Sequence, residues 1–297
     1  MDPVILGALA DRPIYYLARS DAFVKPWDYF LDAFNMMPIY RLRDGYSNLA
    51  KNEEVFERCA QVLNKGNGML MFPEGSQDDV YYLRSLTKGI ARIALQAQSR
   101  TRKDLKIIPV GLNYFNHFGS GRKLILNYGQ PYSAKAYMAQ FENDNNKAYR
   151  KFVLDLATEM KKVLVIEENT ENYPIHKTIF TRKNEKLKYN QLKGFISQNA
   201  SFEKDNIHGF LKPIIFLLTL PNFIPFLLLW YVNKNWLKKR VFHASTKLGI
   251  AVVILPIWFF ICFIITGLSL SIESAFLILA IQMISLIIRS RLTRYIH

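Results

Sequence analysis

Met69-Leu70-Met71-Phe72-Pro73-Glu74-Gly75-Ser76 is an apolar run that stops at a proline and opens onto a carboxylate, a glycine and a hydroxyl. Apolar residues bounded by turn formers read as a buried strand, and Pro73 with Gly75 ends it abruptly. Strand tips are where α/β proteins hold ligands, which makes Glu74 and Ser76 candidate site residues. Taken alone, the segment also suits an ordinary strand-to-loop turn carrying a solvated glutamate. Its neighbours decide between the two readings.

Around this strand, Pro13–Ala18, Pro38–Leu42, Lys106–Leu112 and Lys123–Tyr128 are further strand candidates, separated by helix-like stretches near 26–36, 52–65 and 87–99. Alternation of this kind predicts an α/β layer over residues 1–166. The second helix is the best marked, with Asn52 as its cap, Glu53 and Glu54 in its first turn, and Val55, Phe56, Cys59, Val62 and Leu63 on one stripe before Gly66. That stripe is core.

The chain has 297 residues, with 39 Lys and Arg against 24 Asp and Glu, a net charge of +15. Such a balance implies an anionic partner: nucleic acid, a phosphate-bearing substrate or an anionic membrane surface. Nucleic acid is set aside because the aromatic residues lie in apolar runs and do not interleave with Arg and Lys as a stacking platform requires. Two cysteines, Cys59 and Cys262, exclude a disulfide framework and a zinc site. Met1-Asp2-Pro3 places an acid and a proline where a secretory signal would carry basic residues, so no signal peptide is read there.

Residues 167–210 turn polar and gather Lys177, Arg182, Lys183, Lys186, Lys188 and Lys193, which reads as a basic linker with a solvated face. From 211 onward the chemistry changes. Leu211–Val232, Leu248–Thr266 and Leu270–Ile288 each approach the roughly 20 apolar residues of a spanning helix, so 211–297 is expected to be a membrane region. Lys234, Lys238, Lys239, Arg240 and Lys247 follow the first stretch and Arg289, Arg291 and Arg294 the third, which places both loops on the cytoplasmic face. With the basic globular part on that face as well, 211–232 is expected to enter and leave by one side, broken at Pro213, Pro221 and Pro225. Segments 248–266 and 270–288 then form a spanning hairpin; three plain spans are the alternative.

With these parts in place, the short motifs become recognisable. Phe72-Pro73-Glu74-Gly75-Ser76 resembles the FPEG-[ST] block of the glycerolipid acyltransferases, the family of glycerol-3-phosphate and 1-acylglycerol-3-phosphate acyltransferases. Pro38-Ile39-Tyr40-Arg41 is similar to that family's block ending in a phosphate-binding arginine, Lys88-Gly89-Ile90-Ala91 to its KKG-x-A, and Ile107 to Leu112 to its proline-bearing strand around Pro109. The resemblance covers about residues 1–135. It implies an acyltransferase-type sheet flanked by helices, followed by a C-terminal helical membrane segment.

The implied activity is transfer of a fatty acyl group from a thioester donor, acyl-CoA or acyl-carrier protein, to a glycerol-phosphate-type or related acceptor such as a lysophospholipid, in phospholipid biosynthesis. Neither a metal nor a separate cofactor is implied, and membrane lipids are the expected surroundings. By the same resemblance Phe72, Pro73, Glu74, Gly75, Ser76, Lys88, Pro109 and Arg41 bind substrate, with Arg43 the fallback for Arg41. Arg41 suits a phosphate because its planar fork binds bidentately. Glu74 repels phosphate, and is read as holding glycerol hydroxyls or keeping Arg41 or Lys88 in place. Gln77 stands where many relatives have Arg, and Asp78 and Asp79 weaken the local positive field, which loosens the match to glycerol phosphate itself.

The family's N-H-x-x-x-x-D block supplies a catalytic histidine and an aspartate that orients it, and Asp2 matches the aspartate. None of the five histidines, at 117, 176, 208, 243 and 297, is followed by Asp at that spacing. The expectation is therefore a chain that starts downstream of its catalytic histidine, inactive or incomplete as it stands. The alternative is a non-catalytic lipid-binding or partner-binding protein of the same fold. His117 follows a strand with no carboxylate at motif spacing and reads as a loop or partly buried histidine.

Overall fold

In the computed structural model, which describes residues 2–23, 25, 28–40, 51–75, 78–117, 123–202, 211–236 and 243–293, a short helix α1 (Asp2–Ala8) feeds the first strand, β1 (Ile14–Arg19). Helix α2 (Asp28–Ala33), β2 (Met36–Ile39), α3 (Lys51–Asn64) and β3 (Gly68–Leu70) follow. These strands form a parallel sheet in the order β2-β1-β3, with Ala18 opposite Pro38 and Tyr16 opposite Leu70. Their carboxyl ends share one edge, where open parallel sheets present ligand-binding loops.

The strand expected over Pro38–Leu42 begins at Met36, and its ladder ends at Ile39. Pro38 is compatible with β2 because, among the described residues, β2 is an outer strand with one side unpaired. Asn52, expected to cap a helix, lies inside α3, which starts at Lys51. Its buried amide accepts the Tyr40 N–H at 3.1 Å and donates to the Tyr40 carbonyl at 2.9 Å. Both backbone groups of Tyr40 are satisfied where the ladder stops, and the end of β2 is tied to α3.

Helix α3 turns Val55, Phe56, Cys59 and Val62 inward, as its periodicity predicts, and Gly66 leaves it with φ 84°. Helix α4 (Lys88–Ser99) serves two cores. Its Ile93 and Ala97 pack with Met37, Val55, Phe56 and Cys59, while Ala91 and Leu95 meet Phe141, Tyr149, Phe152 and Leu156 of α5 (Met138–Asn143) and α6 (Asn145–Lys162).

The single strand expected over Lys106–Leu112 is two. β4 (Lys106–Ile107) pairs antiparallel with β7 (Tyr132–Ser133), and β5 (Val110–Tyr114) with β6 (Leu124–Tyr128). Pro109 separates them because it has no N–H to give a ladder. The mixed α/β class is thus observed, its strands in three small sheets among the described residues.

Residues 167–202, expected as a linker, are folded instead. With α7 (Tyr173–His176) and α8 (Tyr189–Ser197), they place buried Ile179 and Leu192 against Phe115, Val165 and Ile166. Lys177, Lys183, Lys186 and Lys188 face solvent, so the stretch is polar on one side only.

The C-terminal part is helical: α9 (Leu211–Leu217), α10 (Phe223–Asn235), α11 (His243–Gly249), α12 (Leu255–Ser269) and α13 (Ile272–Thr293). Two helices, Thr246–Ser269 and Ile272–Thr293, are long and apolar enough to cross a membrane, and the pair Leu211–Leu217 and Leu220–Asn235 bends by 45°. Polar groups gather at the bend. Asn222, fully buried, donates to the Gln282 carbonyl and to Ser285 Oγ, both at 3.1 Å, while Gln282 Nε2 and Trp258 Nε1 donate to the Pro221 carbonyl. A break in apolar surroundings needs such replacement partners. Lys238, Lys239, Arg240 and Arg294 lie outside the described residues.

Gly111 is required by a close backbone approach. A Cβ on Gly111 of β5 would lie 2.1 Å from the Val163 carbonyl oxygen, a backbone atom just past α6. Gly111→Ala is expected to destabilise the protein by about 1–3 kcal/mol, read as a lower urea midpoint in detergent. An unchanged midpoint would show that β5 and the end of α6 do not meet this way.

Candidate active site

The β3 ladder stops at Leu70, and the chain runs on through Met71 and Phe72 into a tight turn. The Gly75 N–H donates to the Phe72 carbonyl at 3.4 Å, and Gly75 adopts φ 66°, a region glycine enters without steric cost. Thr87, the residue before α4, donates from both its N–H and its hydroxyl to the Pro73 carbonyl, at 2.9 and 3.1 Å. A Cβ on Gly75 would come within 2.9 Å of the Thr87 methyl, so the turn and the start of α4 fit only with glycine there.

Glu74 is held by Arg84. One carboxylate oxygen accepts the Arg84 backbone N–H at 3.1 Å, and the other accepts Arg84 Nε at 3.0 Å. The two side chains retain 28% and 19% of their exposure, so the pair is partly withdrawn from water. Charge-assisted bonds of this kind contribute about 1.5–3 kcal/mol each. Their effect is to close the chain between residues 74 and 84 into a loop.

That loop carries Asp79 and Tyr81. Asp79 Oδ1 lies 2.7 Å from His117 Nδ1, and the Tyr81 ring stacks on the imidazole with centroids 4.2 Å apart. Phe180 stacks on Tyr81 in turn at 4.5 Å, and the Tyr81 N–H donates to the Tyr173 hydroxyl. Tyr114, the last residue of β5, meets the imidazole edge-on at 5.8 Å and donates its hydroxyl to Asp2 Oδ1 at 2.7 Å. Burial, then the bond to the Asp2 carboxylate, holds the Tyr114 phenol well above its ordinary range, so it stays a donor.

Of the residues expected at the site, Phe72, Glu74 and Gly75 lie together at the β3 tip; Phe72 is exposed and Pro73 buried. Lys88 is exposed in the first turn of α4, one residue from Thr87. Asp2 belongs to the Tyr114–His117 group. Pro109 lies elsewhere: it is fully buried, packs against Gly129 and accepts the Gly129 N–H at 2.8 Å. It shapes the sheet from inside and does not line an open surface. Arg41, its fallback Arg43, Ser76 and Gln77 lie outside the described residues. The described partner of Glu74 is Arg84, neither Arg41 nor Lys88, and sequence reading passed over Arg84 because it stands outside every motif block. The pairing of His117 with Asp79, 38 positions apart, also escaped it, since spacing shows only local partners.

Burial pushes the Cys59 thiol up to about 12, which leaves it a poor nucleophile. Among the described residues no cluster of His, Cys, Asp and Glu could hold a metal ion.

Comparison with known proteins bears on the same region. The Acyltransferase family model matches residues 1–113, which contain the whole of the β3 turn and Arg84. Over 140 residues the chain is 26% identical to glycerol-3-phosphate O-acyltransferase 1 of Saccharomyces cerevisiae, covering 45% of this chain and 18% of the yeast enzyme. The match therefore spans under a fifth of that enzyme's length. No solved structure matches the chain. Both matches are to acyltransferases, the second to a glycerol-3-phosphate acyltransferase by its name.

The clamp between Glu74 and Arg84 can be measured directly. A double-mutant cycle of Glu74→Gln and Arg84→Met is expected to give a coupling of about 1–2 kcal/mol in urea unfolding. Additive single effects would show that the two side chains do not hold the loop.

Proposed function

We propose that this chain is a membrane-attached O-acyltransferase that moves a fatty acyl group from a thioester donor to a glycerol-phosphate-type or related lipid acceptor. The observation that carries the reading is the Phe72–Gly75 turn, locked by Arg84 and Thr87 at the carboxyl edge of a parallel sheet, within the stretch matched by the acyltransferase family. The donor is acyl-CoA or acyl-carrier protein. The acceptor is glycerol phosphate or a lysophospholipid, and the pathway is phospholipid biosynthesis.

Acyl transfer from a thioester to an alcohol needs a group that takes the hydroxyl proton, and an imidazole suits that task at neutral pH. In the proposed mechanism a His/Asp pair acts as general base, with Asp2 in the carboxylate position; no histidine of this sequence stands at the motif spacing from it. Fixed positive charge is needed for the acceptor phosphate. Arg41 beyond the end of β2 supplies it bidentately, and Lys88 adds charge in the first turn of α4, where the helix dipole also favours an anion. Glu74 acts through Arg84, keeping the loop beside the sheet edge in one shape.

Membrane attachment follows from Thr246–Ser269 and Ile272–Thr293, each long and apolar enough to cross a bilayer. In the proposed topology these two form a hairpin, the bent pair 211–235 dips in and returns, and the basic globular part faces the cytoplasm. An acyltransferase so anchored meets acceptor and product lipids at the surface where they reside.

The test is turnover by purified protein that carries a histidine five residues before Asp2, in detergent with labelled acyl-CoA and either glycerol 3-phosphate or lysophosphatidic acid. Labelled ester is expected, with Arg41→Ala raising acceptor KM about tenfold or more and Glu74→Gln lowering kcat/KM about 10²-fold. Homogeneous protein that binds lysophosphatidic acid and transfers nothing would replace the enzyme with a lipid-binding protein of the same fold.

A further inference from the structure

We propose that Arg289 and Lys247, with Thr219 and Phe226 beside them, bind the phosphate of an anionic phospholipid headgroup between the C-terminal helices. The inference rests on the membrane attachment proposed above and is independent of acyl transfer. Arg289 is half-buried on α13 and is held on two sides. Its Nε donates to Thr219 Oγ1 at 2.9 Å, in the bend between α9 and α10, and its guanidinium carbon lies 3.8 Å from the centre of the Phe226 ring on α10. Together these contacts set the plane of the fork while using Nε alone. Its two terminal nitrogens have no hydrogen-bond partner among the described residues. A guanidinium fixed in this way offers paired N–H donors, which a phosphate accepts bidentately.

A second cation stands beside it. Lys247, half-buried near the start of the apolar helix Thr246–Ser269, lies close enough to Arg289 for the two like charges to repel. Residue 247 opens one long helix and residue 289 comes near the close of the next, so a spanning hairpin sets both at the same bilayer face. Withdrawing two cations from water is costly unless an anion joins them. The C-terminal segment does not provide that anion. After position 210 the sequence has nine Lys and Arg and one acid, Glu273. Glu273 is sixteen positions from Arg289 on the same helix, about 24 Å at the rise of an α-helix. Basic pockets between spanning helices take phospholipid headgroups for this reason.

The site is braced from below. Arg289 lies four positions beyond Ser285 and seven beyond Gln282, on one face of α13. Asn222 donates to the Gln282 carbonyl and to Ser285 Oγ, so the bonds that secure the bend also hold Thr219 and Phe226 against that face. On the adjoining stripe of α13, Ile281, Ile284 and Ile288 are exposed and run from the middle of the helix toward Arg289. Acyl chains lie along such a stripe when the headgroup is gripped at its end, which selects a lipid over a free phosphate.

The test counts lipids bound to the full 297-residue chain in detergent by native mass spectrometry, titrating dioleoyl phosphatidylglycerol or dioleoyl phosphatidylcholine. The tightest site is expected to prefer phosphatidylglycerol about tenfold or more, with Arg289→Gln lowering that affinity about tenfold and Lys247→Gln about fivefold. Arg289→Lys, which keeps the charge and loses the fork, is expected to fall between wild type and Arg289→Gln. The double variant Lys186→Gln/Lys188→Gln, on the exposed face of the globular part, is expected to leave the affinity unchanged. Equal affinity for the two lipids would overturn the site, as would wild-type affinity in Lys247→Gln, a reading that stands even where Arg289→Gln fails to fold. An equal loss in the Lys186/Lys188 variant would replace the site with general attraction to a basic surface, and displacement of the lipid by excess inorganic phosphate would replace the lipid with a free anion. Protein released from membranes by alkaline carbonate would overturn the attachment reading and the site with it; retained protein without lipid preference would overturn the site alone.

Discussion

Two hydrogen bonds to one carboxylate give the site its shape. Glu74 stands at the end of β3 and accepts both the backbone N–H and Nε of Arg84, closing the intervening chain on itself. That closure presents Asp79 and Tyr81 to His117 and leads Thr87 back to the Pro73 carbonyl at the start of α4. On the proposed reading the acceptor carries a phosphate, which a bare Glu74 charge would repel; the Arg84 guanidinium beside it offsets that charge.

The remaining architecture supplies this loop with fixed walls. Parallel pairing of β2, β1 and β3 gathers their carboxyl ends on one edge, and Asn52 holds the end of β2 by both backbone groups of Tyr40. Behind the loop, Phe180 and Tyr173 come from the stretch after α6, a segment whose basic composition hides its apolar side. The chain that carries the net charge of +15 also ends in two helices able to cross a bilayer. On the proposed reading, charge and apolar length together hold the sheet edge against an anionic lipid surface.

Much of this was legible from residue order alone. The β3 tip, the stripe on α3 and the apolar C-terminal stretches are local patterns, and each was found near its expected place. Pro109 shows where local reading falls short: the motif suggested a ligand contact, but the same ring that breaks the strand is buried against Gly129. Asn52 shows another kind of failure. Its side chain can cap a helix or satisfy a strand end, and only the arrival of Tyr40 beside it decides. His117 reads as a loop or partly buried histidine, as it is, but its partner Asp79 reaches it through space, 38 positions away in the sequence. Pairings of this sort are set by tertiary contacts, which hydrophobic periodicity and short motifs do not encode.

The central claim is that one edge, formed by the β3 turn, the loop to Arg84 and the end of β5, receives the acyl acceptor. Amide hydrogen exchange on the detergent-solubilised full chain, with and without saturating lysophosphatidic acid, tests it most directly. The account predicts slowed exchange concentrated in residues 72–75, 78–87 and 114–117, with α6 and α8 unchanged. Protection confined to the C-terminal helices, or spread evenly over the chain, would contradict it.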